Sequence, residues 1–269
     1  MKANKNKQLF LLVMLFPLLS IAQNEEQAEK KNTFTANVSY QSALHFFGRT
    51  DNLQSAGFFP TVGFELKNGI YANSNFIFIQ NEKANTQYTG TTIEAGYKFE
   101  SDKKLNGNIF FTSFLYNDKT ALVQSALKSQ TGVNLTFNND IVNINTGADL
   151  KFSNKTDVGL TTGLDHLFII RLRNKMAIAI NPSVYAYAGT QNFSNTYIKN
   201  ISPILPIFPA QTEQQTEEKT TFNILAYEVA SPIVWVAGKF NCGITPAFVI
   251  PQNLIVGENG KNLFYISCS

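Results

Sequence analysis

The chain has 269 residues, of which 44% are hydrophobic, 23 are phenylalanine and only 15% are charged. Its formal charge of +3 belongs to the opening segment, which carries Lys2, Lys5 and Lys7 and no acid. With a near-neutral remainder, nucleic-acid binding, which needs a basic patch, loses its main support.

The chain opens with an export signal over residues 1–22. Three lysines precede an apolar run from Leu9 to Leu19, and Ser20-Ile21-Ala22 supplies small residues before a cleavage point at Gln23. The run is shorter than the ~20 residues of a spanning helix. Residues 23–32, with Glu25, Glu26, Glu29, Lys30 and Lys31, read as a flexible periplasmic lead-in.

From Thr33 onward the apolar pattern has period two, the mark of a strand with one greasy and one polar face. Phe34, Ala36, Val38 and Tyr40 alternate with Thr35, Asn37, Ser39 and Gln41 in a first strand that extends to Phe46. A loop from Phe47 to Gln54 carries the turn residues Gly48-Arg49-Thr50-Asp51-Asn52. The stretch Gly57–Gln80 is the clearest unit. Phe58, Val62, Phe64 and Leu66 oppose Phe59, Thr61, Gly63 and Glu65, then Lys67-Asn68-Gly69 leads into a second run. Asn-Gly there predicts a two-residue hairpin with positive φ at both turn positions.

The unit recurs. Tyr88–Phe99, Gly107–Tyr116, Ser125–Phe137 and Val142–Phe152 follow, the last with Val142, Ile144, Ala148, Leu150 and Phe152 against Asn143, Asn145, Gly147 and Asp149. Val158–Asp165 is the eighth strand. The ninth sets Met176, Ile178, Ile180, Val184, Ala186 and Ala188 against Asn181, Ser183, Tyr185 and Tyr187. The rhythm stops over residues 190–220, a long loop with Pro203, Pro206 and Pro209 and then a Gln/Glu-rich run. Its proline spacing suits extended chain, fit to plug a mouth or to meet a surface partner. Thr221–Val236 resumes the strands, with Pro232 predicting a bulge or a strand edge. Phe240–Ile250 and Leu263–Ser269 complete the set.

This is an all-β chain. The pattern predicts an antiparallel up-and-down transmembrane β-barrel of about twelve strands over residues 33–269. Turns after even-numbered strands are short and the others mostly longer, which puts the N-terminus in the periplasm of an outer-membrane protein. A soluble periplasmic β-protein that binds an apolar ligand also alternates, but its outer row would be rich in Lys and Glu. Here the polar rows hold Asn, Thr, Ser and Gly. Tyr40, Tyr97, Trp235 and Tyr265 lie near strand ends, where aromatic girdles sit. Outer-membrane lipid and the outer-membrane assembly machinery are the expected partners, with no nucleic acid.

Sparse charges fall on the polar rows. Glu65, Glu94, Lys98, Asp149, Asp165 and Glu228 are the lumen-facing candidates. They would either select solutes or fill a narrow barrel with ion pairs, and the filled barrel is the expectation. Catalysis finds no motif. His45 and His166 are far apart, and adjacent Asp165 and His166 point to opposite faces of a strand. A hydrolase working at the outer rim through either histidine is the alternative to a non-enzymatic structural or small-solute pore role. No metal or cofactor is expected. Cys242 and Cys268 are too few for a disulfide framework, though one bridge is feasible if they lie on adjacent strands.

Gly48-Arg49-Thr50-Asp51, Phe59-Pro60, the Lys67-Asn68-Gly69 hairpin, Gly163-Leu164-Asp165-His166, Thr245-Pro246 and Pro251-Gln252-Asn253 together resemble an uncharacterised outer-membrane barrel family frequent in Bacteroidetes. The resemblance implies the barrel fold and its location, and brings no activity or catalytic residues. Such barrels usually end in a complete strand closing on an aromatic residue. This chain departs from that pattern with Phe264-Tyr265-Ile266-Ser267-Cys268-Ser269, so a short last strand is expected.

Overall fold

Successive strand residues point to opposite faces of a sheet, and here that alternation wraps into a closed cylinder. The computed structural model describes residues 31–82, 85–101, 104–117, 122–173, 175–194, 197 and 221–269. Residues 1–22, expected to be an export signal, most of the expected lead-in and most of the 190–220 loop lie outside the described residues.

Seventeen strand segments are present among the described residues. The regular part of the wall runs β1 (Thr33–Gln41), β4 (Ala56–Glu65), β5 (Ile70–Gln80), β6 (Gln87–Ser101), β7 (Leu105–Tyr116), β8 (Ser129–Phe137), β9 (Asn143–Phe152) and β10 (Thr156–Asp165), each antiparallel to the next. Three staves are interrupted once. β10 continues as β11 (Phe168–Arg171), β12 (Met176–Ile180) as β13 (Ser183–Gly189), and β14 (Asn223–Ala230) as β15 (Ile233–Ala237). β16 (Phe240–Pro251) and β17 (Leu263–Cys268) follow, and β17 pairs with both β16 and β1. The result is a closed antiparallel barrel of twelve staves. β2 (His45–Phe46) and β3 (Arg49–Thr50) form a hairpin of their own. With β1 taken as running upward, the hairpin belongs to the upper rim.

The interruptions were expected at Pro232 alone; there are three, and two of them carry proline. Pro182 and Pro232 donate no hydrogen bond to the ladder. Their carbonyls carry the pairing across instead. His166 N donates to Pro182 O (3.2 Å) and Asn181 N to Pro232 O (2.9 Å), while Ser231 N, beside Pro232, donates to Pro246 O on β16 (3.1 Å). Each break spans two residues, so the faces stay in phase.

The first turn differs from expectation. Gly69 has φ 93°, but Asn68 does not enter the positive-φ region. Leu66 and Ile70 pair across it, and Gly69 N donates to Leu66 O (2.9 Å). This is a three-residue loop closed by a left-handed glycine, with Asn68 Oδ1 accepting from Ile70 N (3.2 Å).

The closing seam is short. β1 meets β17 at two residue pairs, Tyr40↔Cys268 and Gln41↔Ser267, against nine with β4. Cys242 and Cys268 do fall on adjacent strands, but Cys268 faces Ile244. The cysteines are therefore diagonal, at a spacing of roughly 7–8 Å that exceeds disulfide reach, and both thiols are free.

The barrel is inside out relative to a soluble fold. Phe34, Val62, Phe64, Ile93, Ile109, Leu150, Leu160 and Val229 are exposed on the exterior, while Ser39, Thr61, Thr112, Lys151, Asp157 and Ser267 are buried inward. Among the described residues no helix is long and apolar enough to cross a membrane. Strands with this exterior satisfy every paired backbone group within the wall, which hydrocarbon requires. Tyr97 and Trp235 face outward as girdle residues would. Tyr265 corrects the expectation, because it is buried and points inward.

Candidate functional site

The interior divides into a polar lower lumen and a dry upper mouth. All six charged candidates lie on inward rows, carried there by strand parity. In the lower lumen Lys98 Nζ pairs with Glu65 Oε2 at 2.5 Å, both side chains being 38–40% exposed. Among the described residues Glu94 has no cation partner. It accepts from Tyr71 Oη (3.0 Å) and Thr112 Oγ1 (3.0 Å), and Asn108 Nδ2 in turn donates to Tyr71 Oη (2.9 Å). Asp165 accepts from Asn143 Nδ2 (2.9 Å), from Asn145 Nδ2 and from Asn181 Nδ2 (3.0 Å). Towards the mouth Glu228 lies beside Tyr265, and Asp149 and Lys151 form the second interior ion pair, with side chains only 12% and 5% exposed.

Ion pairs account for part of this interior. Two lumen pairs occur among the described residues, and Glu94, Asp165 and Glu228 are held by amides and hydroxyls instead. Neutral donors stabilise a carboxylate without cancelling its charge. Among these inward groups carboxylates outnumber lysines, with Glu65, Glu94, Asp149, Asp165 and Glu228 against Lys98 and Lys151.

The upper mouth is filled by loops. Val123, Ala126, Leu127, Phe193 and Tyr197 form one cluster, with Phe46, Phe47 and Phe114 packed against it. Leu44, Ile77, Ile79 and Leu122 form a second with Phe59 and Tyr116. The β2–β3 hairpin leaves the wall between β1 and β4, yet its tip reaches the opposite side. The Phe47 ring lies 5.2 Å from that of Tyr187 on β13, and Lys151 Nζ on β9 sits 5.5 Å from its centroid. Phe46 meets Phe193 edge-on at 5.0 Å.

Arg49 holds this bar in place. It is 1% exposed, and all five of its N–H donors are used. Nε donates to Glu258 Oε1 (2.8 Å), Nη1 to Phe47 O (3.1 Å) and Leu225 O (3.2 Å), and Nη2 to Gln191 Oε1 (2.7 Å) and Gln252 O (3.1 Å). Phe47 itself has φ 53°. For a bulky side chain that is strained backbone, costing about 1–3 kcal/mol. Gly48 follows at φ 75°, with room for no side chain, since a Cβ would come 2.9 Å from Pro251 Cδ.

A second buried charge organises the other loop. Asp157, 1% exposed, accepts from Thr190 Oγ1 (2.6 Å), Asn192 N (2.7 Å), Asn192 Nδ2 (2.9 Å) and Phe193 N (2.8 Å). It fixes the residues that bring Phe193 into the mouth.

The histidines are not partners. His45 is in the mouth, its ring 4.5 Å from that of Tyr265, with Nδ1 accepting from Gly48 N (3.3 Å) and Nε2 unpartnered. Burial pulls its pKa down from 6.5 to about 4. His166 lies at the lower rim, its ring against Phe168 and Nδ1 2.6 Å from Ile141 O, while Asp165 points inward. Among the described residues neither histidine bonds to a hydroxyl or thiol, and no group of three metal-ligating side chains exists.

Sequence reasoning did not single out Phe46, Phe47, Lys151 or Asp157, and took Arg49 for a turn residue. One signal was available. Phe76-Ile77-Phe78-Ile79 and Phe114-Leu115-Tyr116 break the alternation with apolar residues on both faces. A wall that is greasy inside as well as outside has something dry packed within it.

A closed cylinder with a greasy exterior and a polar lumen defines the class: a transmembrane β-barrel. No family model matches the chain, and the search of curated proteins finds no match. Among solved structures, one similar to it is a NanC porin in a rhombohedral crystal form, at 10% identity and a TM-score of 0.47, covering 87% of this chain and 97% of that one.

Proposed function

We propose that the protein is an integral outer-membrane barrel that works without catalysis, passing small solutes through a lumen that prefers cations. Its N-terminus lies in the periplasm, its loop-filled mouth faces outward, and the loop over residues 190–220 is the place for a surface partner. The observation that carries this is the inward row of charges. Among the described residues Glu94, Asp165 and Glu228 face inward with no cation partner, whereas Lys98 and Lys151 are each matched by a carboxylate. Rings of acidic side chains favour cations in channels. The apolar exterior disfavours the soluble alternative, and the lack of a nucleophile beside His45 or His166 disfavours the hydrolase.

The test is conductance in planar bilayers under a salt gradient, on wild type and on a variant with residues 43–54 replaced by a short Gly-Ser linker. The expected result is a channel in the linker variant whose reversal potential marks cation preference. That preference should weaken in Glu94→Gln/Glu228→Gln. A correctly folded barrel that stays silent in both forms overturns the pore; an anion-selective channel overturns the role of the carboxylates.

A further inference from the structure

We propose that the β2–β3 hairpin is an autoinhibitory bar across the lumen and that Arg49 is its latch, so that the barrel rests shut and opens when the latch releases. The inference rests on the pore reading above and adds its resting state and its control point.

The hairpin is anchored between β1 and β4, the first two staves, but its tip contacts Lys151 and Tyr187 on the seventh and ninth. A segment that touches both sides of a cylinder obstructs it. Aromatic packing and one backbone bridge to the β16–β17 loop hold the hairpin, and one side chain gathers most of its polar contacts to the wall. Arg49 collects acceptors from the start of β14 (Leu225), from the β16–β17 loop (Gln252 and Glu258) and from the residues after β13 (Gln191). The same guanidinium grips the carbonyl of Phe47, the strained residue at the tip. Strain at the obstructing residue and a buried polar tether upon its carbonyl make a poised device, because loss of the tether lets the strain relax. The tether includes one ion pair, to Glu258, so a change at either partner should release it.

The experiment compares bilayer conductance of wild type, Arg49→Ala, Arg49→Lys, Glu258→Gln and the linker variant. Heat-modifiable gel migration reports folding for each. Wild type should be nearly silent. Arg49→Ala should conduct at least tenfold more, approaching the linker variant. Arg49→Lys and Glu258→Gln should fall between. Glu258→Gln alters the latch with little loss of packing and keeps the proposal testable if Arg49→Ala does not fold.

A staple separates release from general loosening. Thr50 N donates to Asn259 O at 2.9 Å, beside the Arg49↔Gly260 bridge. Thr50→Cys with Asn259→Cys, in a Cys242→Ser/Cys268→Ser background carrying Arg49→Ala, should be silent when oxidised and conduct on reduction. If the linker variant conducts while Arg49→Ala and Glu258→Gln match wild type, the latch is wrong and the pore stands. Equal conductance of oxidised and reduced staples overturns the moving bar. A folded but silent linker variant overturns the pore and the latch together.

Discussion

The upper and lower halves of the same barrel interior are built on opposite principles. β5 shows both on one strand, since its inward row reads Tyr71, Asn73 and Asn75 and then Ile77 and Ile79. Below, polar side chains face a space where water competes for every hydrogen bond. Above, the loops have displaced water, and each charge must find its partners inside the protein. Arg49 uses five acceptors and Asp157 receives four bonds, whereas Glu65 and Lys98 rely on each other and on solvent. The lesson is that strand parity decides which way a residue points, and the loops decide what it meets there.

Asp157 is the sharpest place to break that contrast. Asp157→Ala would leave the buried amides of Asn192 and Phe193 without acceptors. Stranding buried groups that bonded to a charge costs on the order of 3–5 kcal/mol. The urea midpoint of the folded barrel should drop accordingly, and the Asn192 and Phe193 amides should exchange rapidly with solvent. Asn134→Ala in the lower lumen removes a 3.2 Å bond to Asn108 on an exposed side chain, and should cost under about 0.5 kcal/mol. Equal losses at the two sites would mean that the halves do not differ.

The wall offers the next test, with the lumen as its control. Leu150→Arg puts a cation on the exterior, at a cost of about 2–4 kcal/mol near the bilayer midplane. Asn134→Arg puts the same side chain into the polar interior and should cost under about 1 kcal/mol. Unfolding from lipid vesicles measures both. An insensitive Leu150 would place that face away from hydrocarbon.

These contrasts also mark what the sequence could and could not give away. The faces of β9 follow from its letters, because Asn145 and Leu150 obey a strict period of two. The stave count follows for the same reason. The breaks were only half visible. Pro232 was marked, but Pro182 sits in a run whose apolar row continues unbroken through it, and nothing at His166-Leu167 hints at an interruption. Arg49 was hidden more deeply. A charged residue between Gly48 and Thr50 looks like turn chemistry, and its acceptors lie in segments some 140 to 210 positions away. No local pattern encodes that convergence.

A third prediction concerns acid. His45 is buried neutral, so its folded pKa of about 4 lies below the unfolded 6.5. Below pH 6.5 the unfolded or opened form takes up the proton more readily. The stability of the closed mouth is thus complete above pH 6.5, declines as pH falls toward 4, and levels off beneath. By linkage the loss is at most about 3 kcal/mol. The titratable groups around the ring are Tyr265, whose ring is tilted against it at 4.5 Å, and Glu228 beside Tyr265. Conductance should rise on acidification over that window, and His45→Phe should flatten the rise.

The smallest effect belongs to the lower ion pair, and its salt dependence carries the information. Glu65 and Lys98 touch at 2.5 Å but remain about two-fifths exposed. Water screens such a pair, whose net worth is ~0–1 kcal/mol. Lys98→Met should therefore shift the unfolding midpoint slightly, and salt should erase most of the shift. Lys151→Met tests the same chemistry in the dry half. It strands a nearly buried Asp149 and removes the cation above the Phe47 ring, so its cost should be several-fold larger and insensitive to salt. If both substitutions behave alike, water reaches Asp149, and the mouth is open where the loops are meant to close it.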